Sequence, residues 1–590
     1  MQKEQSNNAL PMLSKDFVWR LEKKAQTGRI GQFLGRNEYL QNGLLIIIFP
    51  PEQTKGLIMI QKLRKSLAAL FFCAVTLLFL DFTGLAEAWL GWVAKIQFLP
   101  ALLAANFAVV AALAVITLLF GRIYCSVICP LGVLQDIVFF KIGGKRKRNS
   151  LSYKAPKTYL RIAVFALFAV CTLFGFLSAV SLIAPYGAYG RIASNIFAPI
   201  WALGNNALAF VAERFDSYMF YPTEVWTRGI GAFVVAAATL AIVGFLAWKG
   251  GRTYCNTICP VGTVLGFLAK YSLFKPIVDI PKCNSCGLCA RNCKGQCINY
   301  KEHKIDYSRC VACFDCIENC RRGAISYSCK KGWGKSGKSD SAKPAPKSSA
   351  KIDSDRADSH APIRDSETSS EFSEIKSSAV STKGRRGFFS SLLLFAGAAA
   401  AKAEEKITDG GLAPIKNRRK PERTTRITPP GARSARNFSE KCVACQLCVS
   451  ACPSHVLKPS ASLSGFMQPE MSYERGHCAI DCVECSKVCP AGAILPITLA
   501  EKSSLQIGRA MWHKERCIVN TDDVQCDNCF RQCPTGAITM VAQNPKDKKS
   551  RKIPTVDEAR CIGCGACENL CPARPVAAIC VEGNSVHNSI

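Results

Sequence analysis

Twenty-four cysteines of this chain fall into six groups of four, most members standing two or three residues apart. The first two groups are Cys283, Cys286, Cys289 and Cys293, then Cys310, Cys313, Cys316 and Cys320, both spaced Cys-x2-Cys-x2-Cys-x3-Cys. Four more follow, each closed by a proline: Cys442, Cys445, Cys448 and Cys452; Cys478, Cys482, Cys485 and Cys489; Cys517, Cys526, Cys529 and Cys533; Cys561, Cys564, Cys567 and Cys571. Spacing this short and regular does not suit a disulfide framework, and zinc ribbons use paired Cys-x2-Cys rather than a triplet with a trailing fourth. Thiolates at these intervals ligate iron, and one [4Fe-4S] cluster per group predicts six clusters and one-electron chemistry.

A second pattern holds four more thiols. Gly121-Arg122-Ile123-Tyr124-Cys125-Ser126-Val127-Ile128-Cys129-Pro130-Leu131-Gly132 returns 130 residues later as Gly251-Arg252-Thr253-Tyr254-Cys255-Asn256-Thr257-Ile258-Cys259-Pro260-Val261-Gly262. Such a repeat implies a duplicated unit. At spacing four a helix puts Cys125 with Cys129, and Cys255 with Cys259, on one face, which suits a shared metal ion, a redox-active disulfide or a cluster. The plainer alternative is a helix end punctuated by proline with buried cysteines acting as small hydrophobes. Cys73, Cys171, Cys297, Cys329 and Cys580 are left over and read as structural, with Cys297 set apart because it lies inside the first pair of groups.

Several domains must position these thiols in a chain of 590 residues, 49% of them hydrophobic. Apolar stretches at roughly 66 to 90, 99 to 120, 160 to 184 and 229 to 248 have the length to cross a hydrocarbon core of about 30 Å and predict four transmembrane helices. Lys62, Arg64 and Lys65, the basic run Lys145 to Arg148, and Lys249 with Arg252 mark the cytoplasmic ends. The aromatic-rich segment 190 to 227 then reads as an outer loop or interfacial helix that helps shape a quinone pocket. The fold class is multi-domain: a four-helix transmembrane bundle plus α+β bacterial-ferredoxin-type 4Fe-4S domains, one with two clusters and one with four. The boundaries are an N-terminal segment without assigned role at 1–62, the membrane domain at 63–275 and a two-cluster cytoplasmic domain at 276–328. A Ser- and Lys-rich disordered linker occupies 329–384, a twin-arginine-type signal or fifth membrane segment 385–403, and a four-cluster periplasmic domain 404–590. The stretch from Met59 looks like the first residues of a membrane protein and suggests a start there. Pro490-Ala491-Gly492-Ala493-Ile494 and Pro534-Thr535-Gly536-Ala537-Ile538 read as entries to strands.

Charge and composition exclude other classes. The formal charge is +32, but an oxidised cluster with four thiolates carries about −2, so six would lower it to roughly +20 and part of the basic excess answers cofactor rather than nucleic acid. None of the six histidines lies in a long apolar segment, which removes paired-histidine membrane haem, and no Cys-x-x-Cys-His is present for covalent haem. Neither a Gly-x-Gly-x-x-Gly after a strand nor a phosphate-binding Gly-x-x-x-x-Gly-Lys occurs.

On these residues the chain resembles two known families joined end to end. Residues 60 to 325, with the repeated Cys-x-x-x-Cys-Pro and the first two groups, resemble NapH, the membrane quinol-dehydrogenase partner of periplasmic nitrate reductase. Residues 381 to 580 resemble NapG, its exported four-cluster partner. The ferredoxin likeness implies that fourth cysteines cross, joining Cys320 to Cys283, Cys286 and Cys289, and Cys293 to Cys310, Cys313 and Cys316, while the pairing among the last four groups stays open between neighbouring and nested. The resemblance implies a bacterial inner-membrane protein that oxidises menaquinol or ubiquinol from the quinone pool and passes electrons to a periplasmic reductase or cytochrome. Asp81 and Glu87 are the candidate proton acceptors. Two other readings stay open: an assembly or metal-reducing factor using Cys125, Cys129, Cys255 and Cys259, or a conduit from cytoplasmic ferredoxin to the outside, for which no relay across the bundle is evident.

Overall fold

In the computed structural model the described residues are 52–329 and 418–590, apart from 82–83, 149–150, 218, 224, 226–228 and 547–549, with the short paired strands Thr408–Asp409 and Ala413–Pro414 besides. Residues 1–51, nearly all of the linker and the whole twin-arginine segment lie outside them. Residues 52–331 and 418–590 belong to one compact unit, and 332–417 to another.

The first helix, α1 (Glu52–Leu80), is apolar from Met59 onward and ends where Asp81 turns back, its carboxylate accepting from the amide of Ala86 at 2.7 Å. That contact caps α2 (Leu85–Lys95), which re-enters the bundle and meets the short α3 (Phe98–Leu103) at the buried Gln97. After α4 (Phe107–Phe120), Gly121 at φ 74° breaks the helix and the chain makes α5 (Ile123–Val127) and α6 (Pro130–Arg148). The second copy repeats the sequence of elements. α7 (Thr158–Leu173) and α8 (Leu177–Ser181) lead into α9 (Pro185–Ile192), a π-turn at Ala193–Phe197, and α10 (Ala198–Glu213). Then α11 (Ile230–Gly250) ends at Gly251, φ 66°, before α12 (Thr253–Thr257) and α13 (Pro260–Ala269).

Among the described residues three helices are long and apolar enough to cross a membrane: Met59–Leu80, Pro185–Glu213 and Ile230–Gly250. This corrects the four expected spans in two places. The stretches 99–120 and 160–184 hold helices of only 14 and 16 residues, because each is broken, at Ala104–Asn106 and at Phe174–Phe176. The segment 190 to 227, expected as an outer loop or interfacial helix, carries most of the long apolar helix Pro185–Glu213, which includes a π-helical turn at Ala193–Phe197.

Two ferredoxin-type units flank this bundle. The first has strands β1 (Phe274–Val278) and β4 (Ile325–Cys329) paired antiparallel, with the short hairpin β2 (Ile298–Asn299) and β3 (Lys304–Ile305). The second builds hairpin β5 (Leu457–Pro459) with β6 (Pro469–Met471), β8 (Ile538–Ala542) with β9 (Lys552–Val556), and pairs β7 (Leu505–Trp512) with the last strand, β10 (Ile579–Ser589). Ile538 opens β8 as its motif suggests, but Ile494 does not open a strand; residues 491–497 run irregularly, which corrects that expectation. The first unit touches the start of α1, where Gln61 donates to Asp315 at 3.0 Å and to Glu318 at 2.6 Å. The second touches its end, where Phe79 packs on Tyr186 and both Phe79 and Leu447 border one cavity. From Gln61 to Phe79 the helix rises about 27 Å.

Candidate electron-transfer centres

All six cysteine groups fold alike. The third cysteine of each lies in a four-residue helix, Leu288–Arg291, Asp315–Glu318, Leu447–Ser450, Glu484–Lys487, Asn528–Arg531 and Ala566–Asn569, and the fourth follows two residues beyond its end. The four groups with Cys-x2-Cys-x2-Cys spacing place left-handed residues before the second and third cysteines, as at Ala444 (φ 48°) and Gln446 (φ 65°). Those turns direct three sulfurs inward.

The fourth cysteine then crosses to its neighbour. Cys320 and Cys289 face one another beside Cys283 and Cys286, while Cys293 lines a small cavity with Cys310, Cys313 and Cys316. In the second unit the open choice resolves to neighbouring exchange. Cys489 stands with Cys442, Cys445 and Cys448, and Cys452 shares a cavity with Cys478, Cys482 and Cys485. Likewise Cys533 shares one with Cys561, Cys564 and Cys567, leaving Cys571 to Cys529, Cys526 and Cys517.

These cradles suit a cubane ligated by thiolates. Amides point at the sulfurs: Ala324 N to Cys320 at 3.3 Å, Ala537 N to Cys533 at 3.3 Å, Ala578 N to Cys571 at 3.3 Å and Ala510 N to Cys561 at 3.4 Å. Such hydrogen bonds stabilise the anionic ligand and tune its potential. The fifth cysteine in the first unit, Cys297, is buried in the Cys310 cavity with its sulfur 3.5 Å from that of Cys293.

Neighbouring sets touch in a fixed order. Cys448 of the Cys442 set faces Cys485 of the Cys478 set, Cys478 donates its amide to the carbonyl of Cys564 at 2.9 Å, and Cys567 faces Cys529. The sequence of groups along the chain is thus not their sequence in space, since the Cys561 set lies between the Cys478 and Cys526 sets.

The repeated motif brings Cys125, Cys129, Cys255 and Cys259 together, all buried and facing one another. Its two thiols do not share a helical face as expected: α5 and α12 end before Cys129 and Cys259, which instead precede Pro130 and Pro260 at the starts of α6 and α13. Each repeat braces the other. Arg122 donates to the carbonyl of Cys255 at 3.2 Å, and Arg252 donates to the carbonyl of Cys125 while pairing with Asp136 at 2.8 Å. Lys294, which follows Cys293 where the last four groups carry proline, is buried between Asp136 at 3.3 Å and Asp315 at 3.0 Å and so locks the first unit beneath the motif.

Between the second unit and the end of α1 lies a cavity of about 860 Å³ bordered by Asp81, Glu87, Trp92, Trp201, Cys452 and His455, among others. Both carboxylates singled out in the sequence are there. Asp81 serves as the cap of α2, whereas burial, and next the neighbouring Glu484, push the carboxyl of Glu87 up to about 7. Arg191, His455 and the Glu484–Lys487 pair carried no motif; only the recurrence of Arg122 and Arg252 beside the repeated cysteines was a signal in the sequence.

Comparison with known proteins finds 4Fe-4S domains in both halves of the chain. A family model described as a 4Fe-4S binding domain matches residues 102–149 and 231–281, and models described as 4Fe-4S dicluster domains match 425–494 and 524–574. The chain is 31% identical over 153 residues to the ferredoxin-type protein NapG of Escherichia coli, covering 25% of this chain and 66% of NapG. It is 34% identical over 151 residues to the methylamine utilization ferredoxin-type protein MauM of Methylorubrum extorquens, covering 25% of this chain and 67% of MauM. A weaker likeness, 24% over 174 residues, links it to the methylamine utilization ferredoxin-type protein MauN of Methylobacillus flagellatus, of which it spans 48%. No solved structure matches. By this shared sequence and the 4Fe-4S domains it carries, the chain belongs to the family of ferredoxin-type iron-sulfur proteins that includes NapG and MauM.

Proposed function

We propose that this protein oxidises a membrane quinol at the cavity beside Glu87 and sends the electrons out through the four-cluster unit to a periplasmic reductase or cytochrome. The observation that carries this reading is that a carboxyl group tuned to about 7 and the cluster-set ligand Cys452 border the same cavity. A volume of about 860 Å³ lies within the range of small-molecule sites and accommodates a quinol head group between Trp92 and Trp201. Oxidation of a quinol to a quinone releases two protons and two electrons. Glu87 accepts the proton of one quinol hydroxyl, since a base works best when its pKa lies near the operating pH, and the second proton leaves to solvent. When bound, the clusters supply successive one-electron acceptors. The chain's own contribution is to hold the Cys478 set at the cavity wall, to keep the Cys442 set against the bundle, and to lead outward to the Cys526 set, whose Cys526 and Cys529 are only partly buried.

The basic residues at the start of α1 support a cytoplasmic location for that end, and for the two-cluster unit with it, at a bacterial inner membrane. On this reading the linker and the twin-arginine segment carry the chain to the other side. The test is reduction of the anaerobically reconstituted protein by a menaquinol analogue, followed by cluster EPR. Signals of the second unit that appear on quinol addition and are slowed by Glu87→Gln support the reading. Clusters that stay oxidised with quinol yet take electrons from dithionite overturn it.

A further inference from the structure

We infer that Cys125, Cys129, Cys255 and Cys259 together ligate a further iron-sulfur cluster, and that this centre joins the two ferredoxin units into one electron path through the bundle. The inference does not depend on quinol oxidation.

The first argument is charge. Arg122 and Arg191 are both 0% exposed, and neither has a carboxylate among its partners. Arg122 binds Asn256 Oδ1 at 2.8 Å and the carbonyls of Ser308 and Cys255; Arg191 binds only the carbonyls of Ser181 and Leu182, both at 3.0 Å. A guanidinium taken out of water without an anion is costly. For Arg122 the missing anion fits at the four thiols, whereas Arg191 faces Cys445 of the Cys442 set. Arg122 Nη2 is 3.7 Å from the sulfur of Cys125 and interacts with Cys255 and Cys259 as well. Four thiolates around an iron-sulfur core supply negative charge at that point, as neutral thiols do not.

The second is the set of donors already aimed at the sulfurs. Gln135 Nε2 lies 3.2 Å from Cys255 Sγ and the amide of Gly262 lies 3.3 Å from Cys259 Sγ, the same kind of contact that the ferredoxin cradles make. The segments matched by the 4Fe-4S binding domain, 102–149 and 231–281, contain these four cysteines and no others.

The third is position. On one side Arg122 reaches both this set and Cys310, and Asn256 donates to the carbonyl of Gly295 at 3.2 Å in the first unit. On the other, Arg191 interacts with both Tyr254, next to Cys255, and Cys445 of the Cys442 set. Tyr254 donates to the carbonyl of Ile183 at 2.6 Å, and Gly187 and Gly190 let the backbone of the second unit approach closely: a Cβ on Gly190 would stand 2.3 Å from the carbonyl oxygen of Cys445. The four thiols thus stand between the Cys310 set of the first unit and the Cys442 set of the second. One electron, given to the Cys283 set by a cytoplasmic one-electron donor protein, passes through the Cys310 set and this centre to the Cys442 set; each member is reduced and then reoxidised by the next, with no net proton transfer.

The test compares the whole anaerobically purified protein with Cys125→Ser/Cys259→Ser. The expected result is a loss of about four iron and four sulfide per chain, with EPR signals of the other clusters retained. Unchanged iron and sulfide, or one copper per chain removed by the substitutions while iron stays constant, overturns the assignment. A second variant guards against misfolding: Arg122→Gln keeps all four ligands, and the inference expects it to move one cluster potential in a redox titration, whereas identical titrations refute it. Freeze-quench EPR in quinone-free nanodiscs, with reduced ferredoxin as donor, reads the path directly. Reduction of the second unit at least about tenfold slower in the cysteine variant is expected, and equal rates exclude this centre as the link. Because no quinol is present, failure here leaves the quinol cavity to its own test.

Discussion

Arg122 crosses from the first repeat to the carbonyl of Cys255 in the second at 3.2 Å, and Arg252 reciprocates at Cys125. The two arms leave no room above them. A Cβ on Gly262 would lie 2.3 Å from the Cys255 oxygen and 2.8 Å from Arg122, and one on Gly132 would meet Cys125 and Arg252 as tightly. Gly262→Ala is therefore expected to destabilise the bundle by about 1–3 kcal/mol through overpacking, measured by denaturant unfolding in detergent. No change would mean that the reciprocal clamp is loose.

Lys294 sits between Asp136 and Asp315 with almost no exposure. Its replacement by Met leaves Asp136 to Arg252 alone and the buried Asp315 without this cation, and breaking a buried pair in this way costs about 3–5 kcal/mol. Limited proteolysis should release the two-cluster unit from Lys294→Met sooner than from the parent chain. Equal release rates would show that Arg252 and Gln61 suffice to hold it.

Glu87 gives a pH signature. Its carboxyl is pushed up to about 7 from an ordinary 4.5, so as the base for quinol it is active above that value and protonated below it. The quinol-dependent rate should rise with pH through about 7, and Glu87→Gln should lower it by about a hundredfold and flatten the rise. Stability runs the other way: the folded chain holds this proton more tightly than the unfolded one, so the contribution of Glu87 declines as pH climbs from about 4.5 to about 7.

Neighbouring exchange of fourth cysteines predicts which cluster each substitution removes. Cys452→Ser should abolish the cluster of Cys478, Cys482 and Cys485, and Cys489→Ser that of Cys442, Cys445 and Cys448. Paired EPR of Cys452→Ser with Cys478→Ser checks this: both must lose the same signal. Loss of a common signal in Cys452→Ser and Cys442→Ser would refute the crossing.

The sequence by itself determined what the local chain can decide. Cysteine spacing is read over a dozen residues, and the turn and short helix that aim three sulfurs inward, as at Ala444, Gln446 and Leu447–Ser450, follow from those residues alone. The repeat, the apolar character of α1 and α11, and the ferredoxin kinship were legible for the same reason. Tertiary structure decided whatever depends on a partner distant in the chain. A run of hydrophobic residues reports burial but not breaks, so the helix end at Leu80, the turn at Phe174–Phe176 and the continuous helix Pro185–Glu213 emerged only once the elements packed. Spacing fixes three ligands of a set but not the fourth, because Cys452 and Cys489 reach their partners through packing of two units. Arg191 shows the limit most plainly. Nothing in its neighbours marks it, and its place between Tyr254 and Cys445 exists only because two segments some two hundred residues apart fold against it.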